Sequence, residues 1–388
     1  MTSPGMLLAL AEADLAQGRT APNPPVGAVL LRGGAVVGRG HTQPAGEAHA
    51  EIMALRQAGA AARGATLYVT LEPCSHFGRT PPCTTALIAG GVASVDFAIS
   101  DPNPLVDGGG LARLRAAGIA VTIGDGGAES ADLLQPFFKH MATGLPYVTA
   151  KWAMSLDGKI ATSTGDARWI SSREARRWAH QLRDIVDAIV VGVGTVEADD
   201  PALTARLDAA DQRRVSRGGR PWRVVLDSTC RLPLQARLLS PELAVGTVVY
   251  VSAAASPAAC AAVMATGALV CPMPADGRGR VDVAAVVADL GRRNCLHVLA
   301  EGGGEVHASF LAAGLVDEVA AIIAPKLVGG RSAPGPLGGN GVATMAAAMA
   351  LADLRINRLG MDVLLRGRLT PAVEAAGDRN GDSGFGEG

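Results

Sequence analysis

The 388-residue chain has no surplus of either charge. Lys plus Arg number 35 and Asp plus Glu 36, a formal net charge of -1. That balance lacks the basic excess with which general DNA and RNA binders neutralise phosphates. Cysteine is scarce at six residues, which excludes a disulfide scaffold and points to metal or catalytic use of any that cluster. Nothing at the start reads as an export signal: residues 1–18 have no basic leading segment and carry Glu12 and Asp14 inside their apolar stretch. The longest uncharged stretch, between Glu242 and Asp276, is interrupted by Ser252, Ser256, Pro257, Thr266 and Gly267. It therefore reads as strand-helix-strand rather than a membrane span. The expectation is a cytoplasmic protein with no membrane and no nucleic-acid partner.

What the chain does have is apolar mass. Hydrophobic residues make up 48% and charged residues 18%, which excludes a disordered or fibrous protein. At ~150 residues per domain the length suggests two or three domains. In the first part, helical spacing over 6–17, 48–58, 83–88, 111–117 and 128–140 alternates with strand patterns over 26–31, 36–40, 65–71, 95–99 and 119–123. Gly33-Gly34 reads as a hairpin turn. This alternation predicts an α/β fold, one sheet covered by helices. Gly144 and Pro146 mark a break, dividing the chain into 1–144 and 145–369. Strand patterns restart over 147–154, 188–193, 223–226, 246–251, 296–300, 318–323 and 361–365, mostly separated by helical runs. Residues 370–388 are rich in Gly, Asp and Glu and are expected to be disordered.

One constellation in the first part carries chemistry. His49-Ala50-Glu51 opens a helix, Pro73-Cys74 follows a strand, and Cys83 opens the next helix. Together they offer one imidazole, two thiols and one further carboxylate. Zinc takes such N and S ligands tetrahedrally, and a catalytic site keeps its fourth position for water, whose pKa falls to ~7. Glu51 lies two residues from His49, so the two side chains leave the helix in different directions. One can ligate while the other moves the water proton. H-x-E with P-C-x-x-C is the signature of zinc deaminases. Here eight residues, not two, separate Cys74 from Cys83. Two other readings stay open: a structural zinc site with His76 as fourth ligand, and buried reduced cysteines without metal. Cys230, Cys260, Cys271 and Cys295 have no ligand-like spacing and read as core thiols.

In the second part, Glu301-Gly302-Gly303-Gly304-Glu305 stands between a strand and a helical run. Glycines there expose backbone N–H groups at a helix start, a natural phosphate cradle, although a plain tight turn has the same composition. Gly192-Val193-Gly194-Thr195 is only a partial dinucleotide fingerprint. Arg183 and Arg206 are candidates for a substrate phosphate, since guanidinium binds it bidentately. Asn23 offers an amide suited to a heterocycle edge, or simply a turn between prolines.

These segments closely resemble the bifunctional riboflavin-biosynthesis deaminase/reductase family. The resemblance rests on Pro22-Asn23-Pro24-Pro25-Val26-Gly27, His49-Ala50-Glu51, the run from Glu72-Pro73-Cys74 to Cys83 (including Arg79 and Thr80), and Asp101-Pro102-Asn103-Pro104. It continues through Lys151-Trp152-Ala153-Met154-Ser155-Leu156-Asp157-Gly158-Lys159, Trp169-Ile170-Ser171, Gly194-Thr195-Val196, Asp199 to Thr204 with Arg206, and Glu301 to Gly304. The long Cys-to-Cys spacing is that family's own variant.

The resemblance implies a cytidine-deaminase-like three-layer domain followed by a dihydrofolate-reductase-like α/β domain. It implies zinc on His49, Cys74 and Cys83 with Glu51 catalytic, and NADPH as hydride donor. The implied reactions are deamination of 2,5-diamino-6-(5-phosphoribosylamino)pyrimidin-4(3H)-one to the uracil, then reduction of its ribosyl group to ribityl. By the same resemblance, Asn23, Arg183, Leu203, Arg206 and Glu301 contact these small phosphoribosyl-pyrimidine substrates. Ala153, Trp169, Thr195, Asp199, Ser228, Gly303 and Gly304 contact NADPH, with Ser228 a candidate for its 2'-phosphate. Ala167 departs from the polar residue that members often carry there. A homo-oligomer is a further expectation. The competing functions are a nucleic-acid base deaminase and a zinc-stabilised, non-catalytic scaffold.

Overall fold

A computed structural model describes residues 1–78, 81–102, 108–207 and 221–369. Arg79, Thr80, Asn103 and Pro104, and the tail 370–388 expected to be disordered, lie outside the described residues.

The first half runs α1 (Pro4–Ala16), β1 (Gly27–Arg32), β2 (Ala35–His41), α2 (Ala50–Ala58), β3 (Thr66–Val69), α3 (Cys83–Gly90), β4 (Ser94–Phe97), α4 (Gly109–Ala116), β5 (Ala120–Ile123) and α5 (Gly127–Thr143). Its five strands form one sheet in the order β2-β1-β3-β4-β5. β1 is antiparallel to both neighbours, while β3, β4 and β5 are parallel. Alternation along β1 covers the sheet on both faces. Val29 packs under Met6 and Ala9 of α1, while Ala28 and Leu30 join Ala50 and Ala54 of α2 and Leu87 of α3. Gly40 lets α2 press onto β2: a Cβ there would lie 2.4 Å from the Ala50 carbonyl oxygen. That close approach fixes the start of α2, where His49 and Glu51 sit.

The second half runs β6 (Tyr147–Ser155), α6 (Arg173–Ile185), β7 (Ala188–Gly192), α7 (Val193–Asp199), β8 (Trp222–Leu226), β9 (Thr247–Val251), α8 (Pro257–Met264), β10 (Leu269–Pro272), α9 (Val283–Arg292), β11 (His297–Gly302), α10 (Gly304–Ala312), β12 (Glu318–Ala324), β13 (Leu351–Leu359) and β14 (Asp362–Leu369). These strands form a nine-stranded sheet, β10-β9-β8-β7-β11-β6-β12-β14-β13. The strands from β10 to β12 in that order are parallel, and β14 and β13 are antiparallel additions. Successive residues divide between two cores: Val190, Val224, Val248 and Val298 face α9 and α10, while Ile189, Val225, Val249 and Leu299 face the opposite layer. From β7 the chain steps outward through β8, β9 and β10, then returns to β11 beside β6. Such a reversal opens a crevice at the carboxyl ends of the strands, where ligands bind in open α/β sheets.

The uncharged stretch after Glu242 is β9-α8-β10, as its interruptions indicated. Among the described residues no helix is long and apolar enough to cross a membrane. The sequence pattern missed β13, because this edge strand has no buried face: Leu354 and Ile356 are exposed. The core-thiol reading holds for Cys230 and Cys295, but Cys260 and Cys271 are only half-buried.

Polar clasps join the halves. Arg19 holds Asp184 through both carboxylate oxygens, at 2.8 and 3.0 Å, and Lys139 reaches Asp317 at 2.6 Å. Asp132 on α5 accepts from Arg355 and Arg368 of β13 and β14. Leu296, just before β11, packs in the core of the first half.

Candidate active sites

His49 is the N-cap of α2 and has extended backbone angles, so its ring leaves the helix start. Cys83 is the first residue of α3 and is fully buried, and Cys74 lies in the loop after β3. The loop is pinned to α3 by two hydrogen bonds that Thr84 donates to the Cys74 carbonyl, from its N–H and its hydroxyl, both 3.2 Å. As a result the His49 Nδ1 lies 3.3 Å from Cys83 Sγ and 3.7 Å from Cys74 Sγ. One donor atom from each of the three residues falls within 4.8 Å of the other two. One nitrogen and two sulfurs at such separations fit a single zinc ion. Among the described residues no fourth His, Cys, Asp or Glu belongs to this group. His76 is therefore outside it, and its Nδ1 is buried without a hydrogen-bond partner among the described residues.

The two thiols divide one role. A hydrogen bond from Cys83 holds the Cys74 thiol down at about 4, against the effect of burial, while the same bond and burial push Cys83 well up. Glu51 lies in the first turn of α2 and is buried. Burial, reinforced by the Cys74 thiolate, pushes its carboxyl up to about 7. It also hydrogen-bonds with Cys83, so it sits against the donor cluster. A carboxyl balanced near neutrality beside a metal-binding cluster can both take and give a proton. Asn23 sits in the turn between α1 and β1, fixed through backbone bonds with Thr20, and its amide makes no hydrogen bond to other described residues.

In the second half a cavity of about 810 Å³ opens at the carboxyl ends of β6, β7, β8 and β11. It brings together Ala153, Thr195, Asp199, Ser228, Glu301, Gly303 and Gly304 of the residues singled out above, and Ala167 as well. At one end lies a buried charge triplet. Glu301 accepts from Arg183 Nε at 2.7 Å and from Lys151 Nζ at 3.2 Å. Burial alone would raise its carboxyl, but the two cations override this and hold it at about 2. In the middle is the glycine turn. Gly303 has φ +81°, and a Cβ on Gly302 would lie 2.8 Å from Val191 Cγ1 and 3.0 Å from Thr195 Oγ1. The wall between β7 and α10 therefore stays bare backbone, a cradle that fits a nucleotide phosphate.

Other sequence candidates stand around the cavity rather than on its wall. Arg183 acts through Glu301, and its Nη1 also reaches the Thr204 carbonyl at 3.4 Å. Arg206 is exposed and lies 3.1 Å from His180 Nε2. Burial, then Arg183 and Arg206, push His180 down to about 4. Leu203 has its side chain buried in the core of this half, at φ +46°. Trp169 is exposed, with the Arg176 guanidinium 4.4 Å above its ring. Sequence reasoning missed His307. It is buried on α10 with its Nε2 3.2 Å from the Ala300 carbonyl and its Nδ1 3.0 Å from the Pro336 carbonyl, between the end of β11 and the loop over the cavity; the neutral ring donates to one of the two. No motif marks it, because its partners are backbone atoms.

Comparison with known proteins supports both halves. A family model of the cytidine and deoxycytidylate deaminase zinc-binding region matches residues 2–99, and one of the RibD C-terminal domain matches residues 146–365. The riboflavin biosynthesis protein RibD of Aquifex aeolicus is 40% identical over 360 residues, covering 93% of this chain and 96% of its own. That of Escherichia coli is 40% identical over 371 residues, covering 93% of this chain and 97% of its own. Among solved structures, Acinetobacter baumannii RibD is similar with a TM-score of 0.82 at 36% identity, covering 95% of this chain and 98% of its own. The Thermotoga maritima diaminohydroxyphosphoribosylaminopyrimidine deaminase/5-amino-6-(5-phosphoribosylamino)uracil reductase gives 0.78 at 32% identity, covering 94% and 98%.

Proposed function

The chain belongs to the RibD family of bifunctional riboflavin-biosynthesis deaminase/reductases, and from that premise we propose which of its residues carry each step. The enzyme acts on small phosphoribosyl-pyrimidines, with a zinc-binding deaminase half and a reductase half. We place the division at 144/145, where α5 gives way to β6. Neither a nucleic-acid base deaminase nor a scaffold is favoured, since both halves match one bifunctional enzyme.

His49, Cys74 and Cys83 hold the zinc. When bound, the ion supplies a Lewis acid that brings the pKa of water to about 7. Glu51 accepts the proton of the attacking water. It passes that proton to a ring nitrogen, which keeps it; the second proton, from the hydroxyl added to the ring carbon, goes by the same carboxyl to the amine, so the C–N bond breaks, the carbonyl forms and ammonia leaves. The burial of Glu51 against the donor cluster places its carboxyl where that relay needs it. Asn23 binds the pyrimidine edge through its amide, which has no partner among the described residues.

In the second half NADPH, when bound, supplies a hydride for C1' of the ring-opened ribose. Gly303, Gly304, Thr195, Ala153, Asp199, Ser228 and Trp169 hold the nucleotide, and Arg206, Leu203 and Arg183 hold the substrate. Glu301, kept ionised by Lys151 and Arg183, accepts from substrate hydroxyls. The chain's task here is alignment. Six free thiols fit a reducing, cytoplasmic setting. The exposed Leu354 and Ile356 on edge strand β13 fit association of two copies.

One observation carries this reading: a three-donor cluster with a buried carboxyl against it, in a chain that also carries a glycine-walled cavity with a buried ionised acid. The test is incubation with the diaminopyrimidinone phosphate, zinc and NADPH, with ammonia and NADPH followed separately. Ammonia release that does not need NADPH, followed by NADPH consumption that needs the deaminated product, is expected. NADPH oxidation without prior ammonia release would contradict the order of steps.

A further inference from the structure

One side of the reductase cavity is covered by residues 326–339, which follow β12 and place Pro334 and Pro336 on the cavity wall. Core packing does not hold this segment there. Leu327 and Leu337 are exposed, and of its side chains only Ala333 is buried. A segment with so little buried surface is placed by hydrogen bonds, and such segments open most easily. From the turn after β6, the N–H groups of Leu156 and Ile160 donate to the Lys326 and Pro334 carbonyls at 2.8 and 2.9 Å, and Lys159 Nζ donates to the Ala333 carbonyl at 3.0 Å. Beside α10, the Gly338 N–H donates to the Gly304 carbonyl at 3.0 Å. Lys326 Nζ in turn donates to the Trp169 carbonyl. The segment therefore ties together the turn after β6, the glycine turn and the chain at Trp169.

One carboxylate grips this segment with both oxygens. Asp157 Oδ1 accepts from the Val328 N–H at 3.0 Å, and Oδ2 accepts from the Gly329 N–H at 2.7 Å. The carboxylate is aimed by its own turn. The buried Ser155 donates its hydroxyl to Oδ1 at 2.6 Å, and the Lys159 N–H donates to Ser155 Oγ at 2.9 Å. Gly158, at φ +77°, lets the chain turn back between them. The Ser155 hydroxyl and then the two N–H groups hold the Asp157 carboxyl down at about 2, so it is ionised at neutral pH. Hydrogen bonds to an ionised acceptor are the stronger kind. Asp157 itself lies outside the cavity wall.

We propose that Asp157 is a positioning residue of the reductase: through Val328 and Gly329 it holds residues 326–339 as a strap across the cavity, and so sets the affinity for substrate and NADPH without touching either. The proposal rests on the reading of this cavity as the reductase site. With the strap down, Pro334 and Pro336 complete the wall and Lys326 fixes the chain at Trp169. With the strap away, these features are lost together. A ligand that needs the strap down binds with an affinity reduced by the fraction of molecules that have it down. Saturating ligand restores that population, so the hydride step is spared. A carboxylate outside the wall thereby changes KM and leaves kcat.

The experiment measures NADPH oxidation on the deaminated intermediate by the full chain, zinc-loaded, in wild type, Asp157→Ala and Asp157→Asn. Asp157→Ala should raise KM for both reactants about tenfold, the scale of losing charged hydrogen bonds at an exposed position, and leave kcat within about twofold. Asp157→Asn keeps one accepting oxygen and should fall between. Ammonia release should be unchanged in both. Trypsin reads the strap itself, because Lys326 and Arg331 are exposed cleavage points within it. NADPH and the intermediate together should slow cleavage after these residues in wild type, and cleavage without ligand should be faster in Asp157→Ala. The wild-type protection and the milder Asn variant keep the test readable if Asp157→Ala folds poorly. A fall in kcat with unchanged KM, wild-type kinetics in Asp157→Ala, or strap cleavage indifferent to ligand overturns the proposal while leaving the cavity the reductase site. Unchanged NADPH affinity in Gly302→Val overturns the reading of the cavity, and the proposal with it.

Discussion

Replacing Glu301 with Gln keeps the outline of the side chain and removes the charge that Lys151 and Arg183 face. Burial favours the neutral acid, yet the two cations hold the carboxyl at about 2, against an ordinary 4.5. At ~1.36 kcal/mol per unit, that displacement is about 3 kcal/mol of folding stability. Its sign is set by the depressed folded-state value: the contribution is complete above the unfolded pKa and is lost as pH falls through about 4.5 toward 2. Glu301→Gln forfeits it at neutral pH and leaves two cations facing each other, so a loss of about 3 kcal/mol or somewhat more is expected. Urea unfolding followed by tryptophan fluorescence reads this directly. All four tryptophans, Trp152, Trp169, Trp178 and Trp222, lie in the second half and report on it alone. The variant should also lose part of the wild-type fall in stability between pH 5 and pH 3. A variant within about 0.5 kcal/mol of wild type at pH 7, with an unchanged pH slope, would show that the triplet is too well solvated for this reasoning to hold.

Glu51→Ala should abolish ammonia release while zinc stays bound at one per chain and NADPH is still consumed on the deaminated intermediate; full deaminase activity would defeat the assignment of Glu51. Cys83→Ser removes a fully buried donor, and metal analysis should find the chain largely free of zinc. Removing zinc from the wild-type protein with a chelator should stop ammonia release and leave the NADPH dissociation constant unchanged; a parallel loss of NADPH binding would mean that the two sites are coupled. Gly302→Val places carbon within 2.8 Å of Val191 Cγ1, so NADPH affinity should fall by at least about tenfold, measured by nicotinamide fluorescence.

The deaminase centre was legible because its residues are fixed by element ends. His49 caps a helix, Cys83 starts one, and Cys74 follows a strand, so the spacing of the elements carries the geometry. The same holds for the glycine turn between β11 and α10. β9-α8-β10 was readable from interruptions in an uncharged run, whereas β13 was not, since an exposed edge strand has no apolar alternation to show. Leu203 illustrates a different limit: the motif around it does not tell that its side chain is buried in the core. The clasps Arg19–Asp184, Lys139–Asp317 and Asp132 with Arg355 and Arg368 were invisible because each joins residues more than a hundred positions apart. His307 escaped for a related reason, since a loop further along the chain gives it its partner.

X-ray absorption at the zinc edge of the metal-loaded, substrate-free protein tests the central claim most directly. The expected first shell is two sulfurs, one imidazole nitrogen and one light atom exchangeable with solvent, and Glu51→Gln should leave the two sulfurs and the imidazole in place. A shell of two sulfurs and two imidazoles, with His76 filling the fourth position, would make the metal structural and contradict the deaminase mechanism.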